Sequence, residues 1–126
     1  MSDPVVADRS RLHQDLLAHL CELRPGVAAA YPAPYLAWLV DDSITLATPF
    51  GLADVAALRV FLLLRFDVAP GFFKEPRIAR LLGDASLPPM ERWQRLAGPE
   101  WGDAWLAARR FEGAVQWRAN LWGAAA

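Results

Sequence analysis

One cysteine, Cys21, is all the thiol chemistry that 126 residues provide. A disulfide framework and a thiolate metal cluster are both excluded on that count. Lysine is as scarce: Lys74 stands alone against twelve arginines. The bias fits a GC-rich genome, and a bacterial or archaeal cytoplasm is the expected setting. Neither sign of charge dominates, the formal net charge being −1. Phosphate-driven affinity needs a basic excess or stripe, so a general polyanion binder is excluded and no nucleic-acid partner is expected. Long apolar runs are missing as well. The longest uncharged stretch, Pro25 to Val40, is broken by Pro32 and Pro34. A spanning helix needs about 20 apolar residues, so no membrane partner is expected. Met1 to Arg9 show no apolar signal-peptide segment, which predicts a cytoplasmic location.

Catalytic signatures are absent too. The chain has no Gly-x-Ser-x-Gly, no phosphate-cradling glycine loop and no His–Cys pair in a supporting context. No enzyme and no cofactor is expected. His13, Asp15, His19, Cys21 and Glu22 share the first predicted helix. Asp15–His19 and His19–Glu22 are neighbours at i,i+4 and i,i+3, but a zinc site needs three or four ligands and no third has metal spacing. Asp41 and Asp42 are adjacent, so on a helix they point about 100° apart and do not converge as a catalytic pair. A metal site is not expected.

What is abundant is apolar surface. Hydrophobic residues make up 55% of the chain, and fourteen residues are aromatic, six of them Trp. Each aromatic buries roughly 150–250 Å², so a single domain over residues 1–126 can build a core at this length. Residues 1–73 carry five basic and eight acidic groups, and residues 74–126 eight basic and six acidic. The mild asymmetry is compatible with two halves packing together.

The hydrophobic spacing predicts an all-α bundle of five or six helices. Residues 5–23 align Val5, Leu12, Leu16, Leu20 and Leu23, with Pro25-Gly26 as the stop. Residues 34–48 read either as a hairpin turning at Asp41-Asp42 or as a helix, the helix being preferred. It would place Tyr35, Leu36, Leu39, Val40, Ser43, Leu46 and Ala47 on one face, and Trp38, Asp41, Thr45 and Thr48 on the other. Residues 52–67 are apolar nearly all round, as a central buried helix is. Gly51 precedes them as a permissive cap, and Pro70-Gly71 suits a type II turn. Arg59 and Arg65 in this helix must reach its edges or pair with carboxylates such as Asp54, Asp67 or Asp42. Two short helices follow: 76–83 with Ile78, Leu81 and Leu82 inward, and 88–97 with Met90, Trp93, Leu96 and Ala97 aligned. A last helix covers about 99–122.

That last helix has two apolar sides. Trp101, Ala104, Trp105, Ala108, Phe111, Val115, Ala119 and Trp122 form one stripe, which must face the core. Leu106, Gly113, Trp117 and Leu121 lie opposite, around Arg110. Either the second side is covered by other segments of the chain, or it binds a protein partner through Trp117, Leu121 and Leu106, Trp being frequent in interface hot spots. Phe72 and Phe73, after the Pro-Gly turn, pack under the loop or form a paired anchor for docking.

Residues 49–97 carry a pattern of their own. Pro49-Phe50-Gly51-Leu52-Ala53-Asp54-Val55 leads into Leu63-Leu64-Arg65-Phe66-Asp67. Then come Gly71-Phe72-Phe73, Glu75-Pro76-Arg77-Ile78, Leu81-Leu82-Gly83-Asp84 and Pro89-Met90-Glu91-Arg92-Trp93-Gln94-Arg95-Leu96. The stretch resembles small helical proteins encoded in bacterial type VI secretion effector modules, beside VgrG spike proteins, PAAR tips, adaptors and toxins. The resemblance implies a non-enzymatic accessory protein, a chaperone or co-adaptor that shields an apolar surface of an effector or adaptor for loading onto the spike. Trp117, Leu121 and Phe72 are the contacts it suggests. The alternative is an immunity protein that neutralises a cognate toxin.

Overall fold

The structure is a computed structural model that describes residues 4–111, with side chains from Arg9 onward. Among these residues the fold is all-α and strand-free. Its elements are α1 (Pro4–Leu23), α2 (Pro25–Ala30), α3 (Ala33–Ala47), α4 (Val55–Asp67), α5 (Pro76–Leu82), α6 (Pro89–Leu96) and α7 (Gly102–Ala108), with 3₁₀ turns at Thr48–Phe50, Phe72–Lys74, Pro99–Trp101 and Arg109–Phe111.

Helix α4 is the centre. Helices α1 and α3 pack on it and on each other, while α6 packs on its other side and joins α5. This is why α4 is apolar on nearly every face: Ala57, Leu58, Phe61 and Leu62 are buried, and Val60, Leu63, Leu64 and Phe66 are partly so. Residues 34–48 form a helix, as preferred, and bury Tyr35, Leu36, Leu39, Val40, Ser43 and Ala47. Ile44 is buried as well and Leu46 partly so, because α3 meets both α1 and α4 and the covered arc widens. In α1, Leu16 and Leu20 are fully buried, but Leu23 is exposed. Helix α1 ends at Leu23, as expected, and Pro25 follows the break at Arg24. That proline opens α2, taking a first-turn position where its missing N–H is not needed.

Two turns differ from expectation. Gly51, at φ +73°, closes the turn after α3 and hands its N–H to the Thr48 carbonyl at 2.9 Å. The cap of α4 is instead Asp54, whose carboxylate accepts from Ala56 N–H at 3.0 Å, so the helix begins three residues later than predicted. Gly71 has φ −112°, which is not the type II geometry. Its need for glycine has another cause. The Gly71 N–H donates to the Phe111 carbonyl at 2.9 Å, and a Cβ on Gly71 would meet that same oxygen at 2.8 Å. Gly71→Ala is therefore expected to cost about 1–3 kcal/mol by overpacking against backbone. A lowered urea midpoint with an unchanged slope checks this.

The arginines of α4 pair across helices. Arg65, nearly buried, meets Asp42 at 3.0 Å, Ser43 Oγ at 2.7 Å and the Pro70 carbonyl at 2.9 Å. Arg59 grips Asp15 of α1 through both nitrogens, at 2.7 and 2.9 Å, rather than Asp54. Asp67 takes Arg24 at 2.6 and 3.0 Å.

Glu75 caps α5. Its buried carboxylate accepts from Ile78 N–H and from Arg77 Nε, both at 2.9 Å. Burial opposes the charge, but these hydrogen bonds outweigh it and hold the carboxyl below its ordinary range. A depressed carboxyl contributes stability above its unfolded pKa of about 4.3 and loses it as pH falls through the folded value. Glu75→Gln is expected to flatten the acid limb of a melting-temperature-against-pH profile below that point and leave its shape near pH 7 unchanged.

In α6, Trp93 and Leu96 are buried, whereas Met90 and Ala97 are exposed. Trp93 Nε1 donates to the Ala57 carbonyl of α4 at 3.2 Å. Arg92 is 5% exposed and meets no carboxylate among the described residues. Its guanidinium donates to the carbonyls of Leu87 at 2.9 Å, and of Phe50 and Leu82 at 2.7 Å each. No single helix among the described residues is long and apolar enough to cross a membrane; α3 and α4 pass that test only as a pair, bent by 116°.

Candidate partner-binding surface

The predicted final helix is broken into pieces within the described residues: a 3₁₀ turn, then α7, then a second 3₁₀ turn ending at Phe111. Pro99, Glu100 and Gly102 favour the tight first turn. Ala104 and Ala108 are buried, and Trp101, Trp105 and Phe111 are partly buried, so the expected inner stripe does face the core as far as residue 111. Trp105 Nε1 donates to the Leu96 carbonyl at 2.6 Å, fixing α7 to the end of α6.

Leu106 lies on the outer side at 65% exposure, the most exposed large apolar side chain among the described residues. It borders a shallow cleft of about 300 Å³, formed with Asp67, Val68, Gly102, Trp105 and Arg109. Trp117 and Leu121, assigned by the sequence to the same face, lie outside the described residues. Phe72 and Phe73 do not belong to the surface. Phe72 is fully buried and Phe73 is 7% exposed. The turn at Pro70-Gly71 drives both rings inward against Phe61, at centroid distances of 5.3 and 5.2 Å. Their assignment as a docking anchor is corrected by that burial.

The aspartates of α1 and α3 are taken up by ion pairs. Asp15 is held by Arg59, Asp42 by Arg65, and Asp41 lies between Arg9 at 3.6 Å and His13 at 3.5 Å. The two adjacent aspartates therefore diverge, one to α1 and the other to α4. Burial, reinforced by the neighbouring Tyr31, pushes the Tyr35 hydroxyl above its ordinary range, which keeps it protonated at neutral pH. Among the described residues no group of three His, Cys, Asp or Glu side chains is placed to hold a metal ion. A hollow of about 410 Å³ between α1, the end of α3 and the start of α4 is walled by Leu12, Ile44, Leu52, Val55 and Leu58, with Arg9 as the one charged side chain among the described residues that line it.

A second cleft, of about 270 Å³, lies on the α5 side of α7, between Leu81 and Trp101 with Arg77 and Arg80 at its rim. Sequence periodicity had no means of finding it, because Leu81 and Trp101 belong to different helices and meet only through the packing of α5 on α7. No family model, curated protein or solved structure compared with this chain matches it.

Proposed function

We propose that this chain is a non-enzymatic accessory protein that binds a protein partner through the outer face of α7, as a chaperone or co-adaptor for a type VI secretion effector in a bacterial cytoplasm. The observation that carries the partner-binding reading is Leu106: a large apolar side chain left in solvent beside a cleft floored by Trp105 and Val68. In the sequence, Gly113, Trp117 and Leu121 follow Leu106 at spacings of seven, four and four, and they are read as belonging to the same face. Isolated exposed leucines are ordinary, but a leucine at the mouth of an apolar cleft, continued in sequence by a Trp, has the composition of an interface core. The secretion setting rests on the resemblance of residues 49–97.

Hot-spot Trp substitutions cost 2 kcal/mol or more, about thirtyfold in Kd. Trp117→Ala combined with Leu121→Ala is expected to weaken effector or adaptor capture by at least that factor, and Leu106→Asp by a similar one, with far-UV circular dichroism unchanged. In a secreting strain, deletion of the gene is expected to stop effector export and leave the cells healthy. Sister-cell killing with normal export identifies a toxin-neutralising protein instead.

A further inference from the structure

The ion pairs of this protein are unevenly spread. Up to Asp67, every described arginine except Arg11 meets a carboxylate: Arg9 with Asp41, Arg24 with Asp67, Arg59 with Asp15 and Arg65 with Asp42. Beyond it, apart from Arg92, whose guanidinium is taken by three carbonyls, Lys74, Arg80, Arg109 and Arg110 meet none among the described residues. Three of these four gather at one place. Arg109 and Arg110 form the turn that ends α7, and the turn carrying Lys74 packs against both α7 and that turn. Leu106 precedes Arg109 and Arg110 by three and four residues, so all three share one side of the helix end. The cleft that Leu106 borders includes Arg109, while its one acid, Asp67, is already neutralised by Arg24 at 2.6 Å. Asp103 sits a full turn back at the start of α7.

A cleft bordered by Leu106, Trp105 and Arg109, with Arg110 and Lys74 beside it and no carboxylate on these three cations among the described residues, has a definite complement. From this juxtaposition we infer that the end of α7 takes an acidic segment of a protein partner, with one apolar side chain of that segment entering the cleft beside Leu106 and Trp105 and its carboxylates meeting Arg109, Arg110 and Lys74. Bidentate arginine–carboxylate pairs would set the register of that segment, and the apolar anchor would supply the affinity. The inference rests on the accessory-protein reading and adds the chemistry of the partner.

The test is selection of a phage-displayed library of random 12-residue peptides on the immobilised full-length chain. The expected result is enrichment of peptides rich in Asp and Glu around a Leu or Phe. Their Kd should rise at least tenfold with Arg109→Glu plus Arg110→Glu, and at least tenfold between 50 and 300 mM salt. Enrichment of neutral or basic peptides, no enrichment, or binding unchanged in the double variant overturns the inference. Two other occupants have their own signatures, and either overturns it. If Trp117→Ala with Leu121→Ala tightens peptide binding tenfold, the chain's own residues 112–126 fill the cleft. If the charge reversal dissociates a dimer in sedimentation, a second copy does. Export separates this inference from the reading beneath it. Deletion of the gene without loss of export sinks the accessory role. Loss of export on deletion, with full export in the double variant, sinks only the acidic partner.

Discussion

Phe72→Ala is expected to remove about 3–5 kcal/mol of folding stability. Phe72 is fully buried, and its ring stands 5.3 Å from Phe61, 5.6 Å from Phe73, 6.2 Å from Trp93 and 5.8 Å from Trp105. These neighbours come from α4, from the turn itself, from α6 and from α7, so one side chain joins four separate segments. Truncation leaves a cavity that none of them can close alone, because Trp93 and Trp105 are held by indole hydrogen bonds to the Ala57 and Leu96 carbonyls. Domains of this size have about 5–15 kcal/mol in hand, so the variant should show a large fall in urea midpoint and partial unfolding on mild heating. An unchanged midpoint would place Phe72 at the surface and restore it as a docking residue.

Arg92→Met is the second large effect, expected at about 2–4 kcal/mol. Methionine matches the aliphatic stem but leaves the Leu87, Phe50 and Leu82 carbonyls without their charged donor. Buried acceptors stripped of a partner cost about 1–3 kcal/mol each when water cannot replace it. Arg92→Lys should recover only part of the loss, since an ammonium cannot reproduce the planar fork that reaches all three oxygens. Urea unfolding of the three proteins ranks them Arg, Lys, Met. Equal midpoints for the Lys and Arg forms would show that the fork geometry is not used.

The helices were legible where periodicity is strong and local. The choice of helix over hairpin for residues 34–48 followed from the apolar run Leu36–Val40, which shows no strand alternation, and α4 announced its burial by being apolar all round. The misreadings have a common physical source. Phe72 and Phe73 stayed open between packing under the loop and docking because the chain that meets Gly71, at Phe111, is forty residues away in sequence. Arg59 was assigned to nearby acids, whereas its partner, Asp15, comes from α1. Arg92 carried no signal at all, since its partners are backbone carbonyls that every sequence supplies. Of the candidate surface, Leu106 was visible as a break in the polar side of its helix. Its companions Arg109, Arg110 and Lys74 become a group only when the turn bearing Lys74 folds against the end of α7.

The preference of Arg92, Trp93 and Trp105 for main-chain oxygen has an evolutionary consequence. Each of these three anchors recognises a place on the chain, not the identity of the residue there. Drift at positions 50, 82, 87, 57 and 96 cannot withdraw the acceptor, and burial still holds 57, 82 and 96 to apolar side chains. The anchors themselves have no such latitude. Divergent descendants of this fold should keep an Arg-Trp pair in the sixth helix and a Trp in the seventh while the side chains at the positions they hold vary within what the core accepts.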